Sequence, residues 1–382
     1  MQYLRLADRI LLRKFGDNHF AYHAKKDELF ELDFEAFNFL LSCDGSSKEI
    51  DDQILEYLLS ENIVELGSER KVNEVARQDE PSLRYLLLTL TNKCNLRCEH
   101  CYVSQKNQFM SFETFRSAVD DFYRMGGLKL IVSGGDPLLH PEIFRFLEYA
   151  RKYPFRIVLL TNGYLIREKD VPALSKLVDE VQISLDGLQG HEKLRKASWR
   201  KVVEKIEMLS GSIDVSISTM VTKYSVDEFE EMKDIVENLN VIRWSIDVPT
   251  CEKELLPEWD EVRRILSSYG FGDMGHESIP GYACGAHYCE VNPDGSVVKC
   301  GFFEESVGNV GDGLEKCWGK MKEKFIWKVD MLKCNCDYKE ECRGGCRYRA
   351  LVYSGDLFFE DPVMCVVFGV LNQNINFADL NT

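Results

Sequence analysis

The chain has 382 residues, 45% hydrophobic and 29% charged, with a formal net charge of −16. This composition suits a globular protein of two or three domains. The acidic balance excludes general affinity for nucleic-acid phosphates, and no apolar run approaches the roughly 20 residues that span a bilayer. The opening MQYLRLADR carries Arg5, Asp8 and Arg9 and does not read as a secretory signal, so a cytoplasmic location is expected.

In chain order, residues 1–66 read as a small α+β unit. ILLRKF, HFAYHA and ELFELD are strand candidates divided by the turn signals GDN and KKDE. Two helical stretches follow, FEAFNFLL and SKEIDDQILEYLLSENI. Strands followed by helices at this size predict a winged-helix-like module. Its charge disfavours DNA binding, because residues 1–65 hold seven Lys/Arg against fourteen Asp/Glu. A generic protein-docking domain stays open. Residues 67–82 are polar and read as a linker.

From residue 83 strands and helices alternate. The strand candidates are YLLLTLT, LKLIVSGG, RIVLLTNG, VQISLDG, DVSISTMV and VIRWSIDVP. Between them lie amphipathic helices such as SFETFRSAVDDFYRM, with Phe112, Phe115, Val119 and Phe122 at helical spacing. Apolar strands alternating with helices predict an α/β fold built on a parallel sheet. Six such units over residues 83–275 predict a partial (β/α)6 barrel, with chemistry on the loops after the strands. Residues 276–382 are rich in cysteine and glycine, with little periodic structure before DPVMCVVFGVLNQNI, and predict a unit held together by metal.

The chain has 14 cysteines. Disulfides do not persist in a reducing compartment, so clustered thiols there point to metal or catalysis. One group, Cys94-x3-Cys98-x2-Cys101, follows the first strand. Zinc takes four ligands, usually with paired C-x2-C spacing, so a lone triplet suits it poorly. A [4Fe–4S] cluster takes one outer ligand per iron, so three thiolates leave one iron open to a small molecule.

C-x3-C-x2-C resembles the signature of the radical S-adenosylmethionine (SAM) superfamily. The resemblance implies that SAM chelates the open iron through its amino and carboxylate groups. Reduction, by flavodoxin or ferredoxin, then yields a 5′-deoxyadenosyl radical. It places His100 near the adenine. Gly134, Gly135 and Asp136 of SGGDP stand where the family has G-G-E-P, the segment that holds the SAM amino group, with Asp136 replacing glutamate. Ser184 and Asp186, two apart and so on one face of their strand, are implied near the SAM carboxylate and ribose. Arg195 matches an arginine that neutralises the carboxylate. Thr161, Asn162 and Thr219 sit at strand ends where the family contacts SAM.

The second cysteine group resembles the SPASM extension of radical SAM enzymes, which adds two auxiliary [4Fe–4S] clusters, three in all. The resemblance gives Cys284, Cys289, Cys300 and Cys346 to the first and Cys334, Cys336, Cys342 and Cys365 to the second. Cys334-x-Cys336 is one residue shorter than the family's C-x2-C. Structural zinc sites are the alternative. Cys43, Cys251 and Cys317 are left over, and free cysteines are usually buried small hydrophobes. Cys251 and Asp247 end the sixth strand on the catalytic rim, however, and are candidates to take or hand on a substrate proton.

Residues 1–66 resemble the peptide recognition element of enzymes that modify ribosomally made peptides, where a leader peptide adds a strand to a three-stranded sheet. The combined expectation is a radical SAM/SPASM peptide maturase. Its adenosyl radical would take a hydrogen from a core residue and close a thioether or carbon–carbon cross-link. Anaerobic sulfatase maturation and tetrapyrrole modification are the alternatives among enzymes. An iron–sulfur electron-transfer protein is the alternative outside them.

Overall fold

The computed structural model describes residues 2–104, 107–269 and 279–370. All six expected strands form: Tyr85–Thr89, Lys129–Ser133, Arg156–Thr161, Glu180–Ser184, Asp214–Met220 and Arg243–Asp247. They lie side by side in that order and run parallel. Helices cover the outer face. Phe115, Val119 and Phe122 of the helix Phe112–Arg124 are fully buried in one apolar cluster with Leu86, Leu88, Leu130 and Val132. The Ser111 hydroxyl starts this helix by accepting from Thr114 N–H at 3.1 Å. Alternation along each strand then leaves Thr89, Ser133 and Ser184 for the concave face.

The boundary expected near residue 275 does not divide the sheet. Strand Tyr288–Val291 pairs in parallel with Tyr85–Thr89, and Ser296–Val298 and Ser306–Asn309 extend the sheet to nine strands. The cysteine-rich region therefore supplies a wall of the barrel. It also holds the helices Leu314–Phe325 and Arg347–Ser354, which the sequence reading missed. The stretch DPVMCVVFGVLNQNI forms a helix over Pro362–Val367, and its residues from 371 onward lie outside the described residues.

In the N-terminal module Ile10–Phe15, Asn18–His23 and Glu28–Leu32 form the expected antiparallel strands. Two segments depart from expectation. Val75–Gln78, read as linker, pairs in parallel with Ile10–Phe15 as a fourth strand. Asp44–Lys48 overlaps the second helical stretch yet pairs with Gln2–Leu6, so the helix starts only at Asp52, capped by the Asp51 carboxylate. Backbone pairing with a distant strand overrides local preference in both cases.

This module closes the bottom of the barrel. Arg9 donates to both carboxylate oxygens of Asp179, at 2.5 and 2.7 Å, and to the carbonyls of Pro154 and Phe155. Asp27 accepts from Tyr22 Oη at 2.6 Å and from Lys129 Nζ at 2.7 Å. Arg156 reaches the carbonyls of Ala24 and Lys25 as well as Glu180. Lys129, Arg156 and Glu180 are the first residues of their strands. The module thus covers the N-terminal strand ends and leaves the C-terminal ends free for chemistry.

Candidate active site

The loop that follows Tyr85–Thr89 carries Cys94, Cys98 and Cys101. Thr91 anchors its start by donating to Gln108 O at 2.6 Å and accepting from Lys93 N–H. The loop then docks on the next strand's exit, where Gly135 N–H donates to Thr91 O at 2.7 Å and Asp136 N–H to Lys93 O at 2.9 Å. Glycine is required at that contact. A Cβ on Gly134 would stand 2.5 Å from Thr91 O, and one on Gly135 2.5 Å from Lys93 O. The glycine pair thus seats the cysteine loop, a role beyond the ligand approach the motif suggested. On the far side Glu99 N–H donates to Leu194 O at 2.9 Å, which ties the loop to the helix Gln189–Arg195.

The three thiols are free and part-buried to exposed. Burial pushes Cys98 up to about 11, and the Cys101 and Cys94 sulfurs lie close enough to add to the shift. Among the described residues no three His, Cys, Asp or Glu groups converge on one metal ion.

The structure sorts the expected SAM residues into three kinds. Asp136 is fully buried and spends its carboxylate on the protein: Oδ2 accepts from Thr161 Oγ1 and Asn162 N–H, and Oδ1 from Leu138 N–H. It positions its neighbours instead of facing a ligand. Thr161 is committed to Asp136, and Thr219 donates to Leu185 O while accepting from Trp244 Nε1. All three side chains are thus engaged by protein groups at the strand ends where the resemblance places SAM.

The second kind reaches the loop. Asn162 Nδ2 donates to Asn95 Oδ1 at 2.9 Å and lies 3.8 Å from Cys94 Sγ. Arg195 is ion-paired with the fully buried Asp186. Burial pushes the Asp186 carboxyl up, but the Arg195 charge and hydrogen bond together with the His100 and His191 imidazoles outweigh it and hold it below the usual carboxylate range. The Cys98 and Cys101 sulfurs also lie within reach of the Arg195 charge. The third kind keeps free capacity. His100 Nδ1 is buried without a partner, and burial pushes this imidazole down to about 4. Ser184 ends its strand on the concave face. Glycines without Cβ, an unpartnered imidazole nitrogen and three free thiols are a donor set that fits SAM on a three-thiolate cluster.

Asp247 meets Arg349, with Oδ1 3.5 Å from Nη1, while Arg349 grips Asp361 through two bonds of 2.7 and 2.8 Å. Burial still pushes the Asp247 carboxyl up. Cys251 lies beside the phenols of Tyr348 and Tyr353, and burial pushes its thiol up to about 11.

The second cysteine group divides differently from expectation. Cys334 lies close to Cys336 and Cys342, and Cys365 to Cys336 and Cys342. Cys300 and Cys346 both lie close to Cys284. Cys289 does not join them. It is fully buried in the main apolar cluster with Cys317, because it points out of strand Tyr288–Val291 on the face opposite Tyr288 and Glu290. The structure therefore brings three of the four expected thiols of the first auxiliary set together.

Sequence reasoning missed Glu290 and Tyr102. Glu290 is 6% exposed and accepts from Thr89 Oγ1 at 2.6 Å on the concave face, and burial pushes its carboxyl up. Tyr102 packs on Phe302 with ring centroids 4.7 Å apart, over a Gly301 with no room for a Cβ. Both line a cavity of about 380 Å³ beside the cysteine loop, together with Gly134 and Phe303. The alternation in YCEV was the available signal for Glu290.

Comparison with known proteins agrees with this geometry. The signature of the Radical SAM superfamily matches residues 88–236. The AdoMet-dependent heme synthase of Oleidesulfovibrio alaskensis is 25% identical over 339 residues, covering 74% of this chain and 87% of that protein. The antilisterial bacteriocin subtilosin biosynthesis protein AlbA of Bacillus subtilis is 25% identical over 338 residues, covering 78% and 75%. Streptococcus suis SuiB bound to S-adenosylmethionine shares the fold with a TM-score of 0.71 at 16% identity, over 94% of this chain and 99% of that one. SuiB bound to its precursor peptide SuiA superposes with a TM-score of 0.69 at 15% identity, over 95% and 99%. The chain therefore carries a radical SAM domain over residues 88–236, the stretch that holds the cysteine triplet and the whole of four of the six parallel strands.

Proposed function

We propose that the protein is a maturase of a ribosomally made precursor peptide. In this reading Cys94, Cys98 and Cys101 hold a [4Fe–4S] cluster, and His100, Ser184 and the Asp186–Arg195 pair border SAM. The cluster and SAM, when bound, supply the 5′-deoxyadenosyl radical that takes a hydrogen from the substrate. This chain's own residues hold and shield: Asn162 fixes the loop at Cys94, Asp186 fixes Arg195 beside Cys98, and the N-terminal module seals the barrel bottom from water. Auxiliary clusters on the second cysteine group would remove the electron left when a thioether or carbon–carbon bond closes. A reducing flavodoxin or ferredoxin would serve as electron donor.

The observation that carries the peptide reading is the open edge of the N-terminal sheet. Among the described residues Glu28–Leu32 is the outer strand with no further strand beside it, and the opposite edge is formed by Val75–Gln78. An unpaired edge strand accepts an extended peptide through its backbone groups. Phe34, 63% exposed, stands beside it as an apolar contact. Percentage identity does not separate the heme-synthase and AlbA relatives, but the fold likeness to SuiB, which binds a precursor peptide, spans this module.

The reading predicts that anaerobically reconstituted enzyme forms 5′-deoxyadenosine from SAM and dithionite. Cys98→Ala should lower that rate at least ~100-fold, because a cluster lacking one of three thiolates is not held. Chromatography of the products decides it, and undiminished deoxyadenosine in the variant refutes the assignment.

A further inference from the structure

We propose that the cavity between the cysteine loop and strand Tyr288–Val291 takes a substrate side chain that ends in an ammonium or guanidinium group, a lysine or arginine of the peptide. This rests on the peptide reading and names the kind of residue presented to the site. The cavity, about 380 Å³, has the size of a small-ligand pocket and holds one long side chain with its neighbouring peptide groups.

Among the described residues its chemistry is one-sided. Glu290 forms part of the wall and Asp294 and Glu304 stand nearer the mouth, while none of its described lining residues is Lys, Arg or His. Asp294 is used within its own turn, accepting from Ser296 N–H and Oγ. Glu290 is not used in that way. Among the described residues Thr89 is its one hydrogen-bond partner, and that bond engages Oε1 alone.

The rest of the molecule shows how unusual this is. Buried Asp27 has Lys129, Glu180 has Arg156, Asp186 has Arg195 and Asp361 has Arg349. Asp136 has three donors in place of a cation. Glu290 has a single hydroxyl and an open cavity in front of it. A buried carboxyl without a matching donor is costly, so the complementary group comes from the ligand. An amine or guanidinium supplies several donors at once.

SAM also carries an amine, but the cavity is a separate place. Of the residues assigned to SAM only Gly134 lines it. Glu290 lies on a strand beyond Tyr85–Thr89, on the other side from the strands that bear Ser184 and Thr219.

The test is calorimetric titration of anaerobically reconstituted, SAM-saturated enzyme with the N-acetyl methylamides of lysine, arginine and norleucine. The lysine and arginine probes should bind at least tenfold tighter than the norleucine probe, and Glu290→Gln should shrink that preference to less than threefold. Equal binding of lysine and norleucine probes by the wild-type protein overturns the proposal, whether or not the variant folds. So does displacement of the lysine probe when SAM is added to enzyme first loaded with that probe in the absence of SAM. Deoxyadenosine formation in the same preparation reports the radical activity independently. Its loss with the lysine preference intact counts against the radical reading, and its presence without the preference counts against the cavity alone.

Discussion

Cys284 and Cys289 stand five residues apart in the sequence and have opposite environments. Cys284 precedes strand Tyr288–Val291 and neighbours Cys300 and Cys346, whereas Cys289 is the strand's second residue and turns into the apolar core. Spacing shows how far apart two thiols are along the chain. Strand alternation decides which face each one meets. Two substitutions separate the roles. Cys289→Ala should keep the wild-type iron content and cost about 1 kcal/mol through the small cavity it leaves. Cys284→Ala should lose about four iron atoms per chain. Iron quantitation with a thermal melt reads both, and iron loss in Cys289→Ala would restore the expected four-thiolate set. Residue types on the cysteine loop were legible from C-x3-C-x2-C. The commitments of Asp136, Thr161 and Thr219 were not, since a polar residue at a strand end looks the same whether it faces a ligand or a neighbour.

At the scale of elements, the exit of strand Lys129–Ser133 and the cysteine loop form one unit. Two backbone hydrogen bonds join them, and neither glycine leaves room for a Cβ. Gly135→Ala places a methyl 2.5 Å from Lys93 O, so the loop must move away. The expected result is at least a ~10-fold fall in deoxyadenosine formation, in a protein whose melting changes little, because loop displacement misplaces the cluster ligands and leaves the core intact. A rate within twofold of wild type would show that the loop absorbs the methyl. The sequence marked SGGDP as special. What it left undetermined was the partner, since close approach of a ligand and close approach of another loop both demand glycine.

For the whole molecule, the module at residues 2–66 and the barrel share buried charge. Arg9 and Asp179 have side-chain exposures of 13% and 12%. Removing Arg9 leaves Asp179 with Arg151 and the Ile157 N–H but without its two Arg9 bonds, so Arg9→Met should cost about 2 kcal/mol. Its pH dependence has a definite sign. Burial pushes the Asp179 carboxyl up, but the Arg9 hydrogen bonds and the Arg151 and Arg9 charges outweigh it and leave it below the usual range. The stability it contributes is therefore present above the ordinary carboxylate pKa and lost as pH falls through the depressed folded value. Acid unfolding followed by circular dichroism should begin at a higher pH in Arg9→Met than in the wild type. An unchanged acid midpoint would show that the contact carries no stability.

The sequence by itself determined the local grammar: six parallel strands with their helices, the three-strand front sheet and the cysteine triplet on the rim. Each depends on periodicity or spacing within a short stretch, and short-range physics is sufficient for it. Only the tertiary structure decided that Tyr288–Val291 completes the barrel wall, that Val75–Gln78 leaves the linker to become a strand, and that Cys289 faces the core while Glu290 faces the cavity. Those outcomes depend on which distant backbone offers unpaired hydrogen-bonding groups, a competition that is settled only when the whole chain packs.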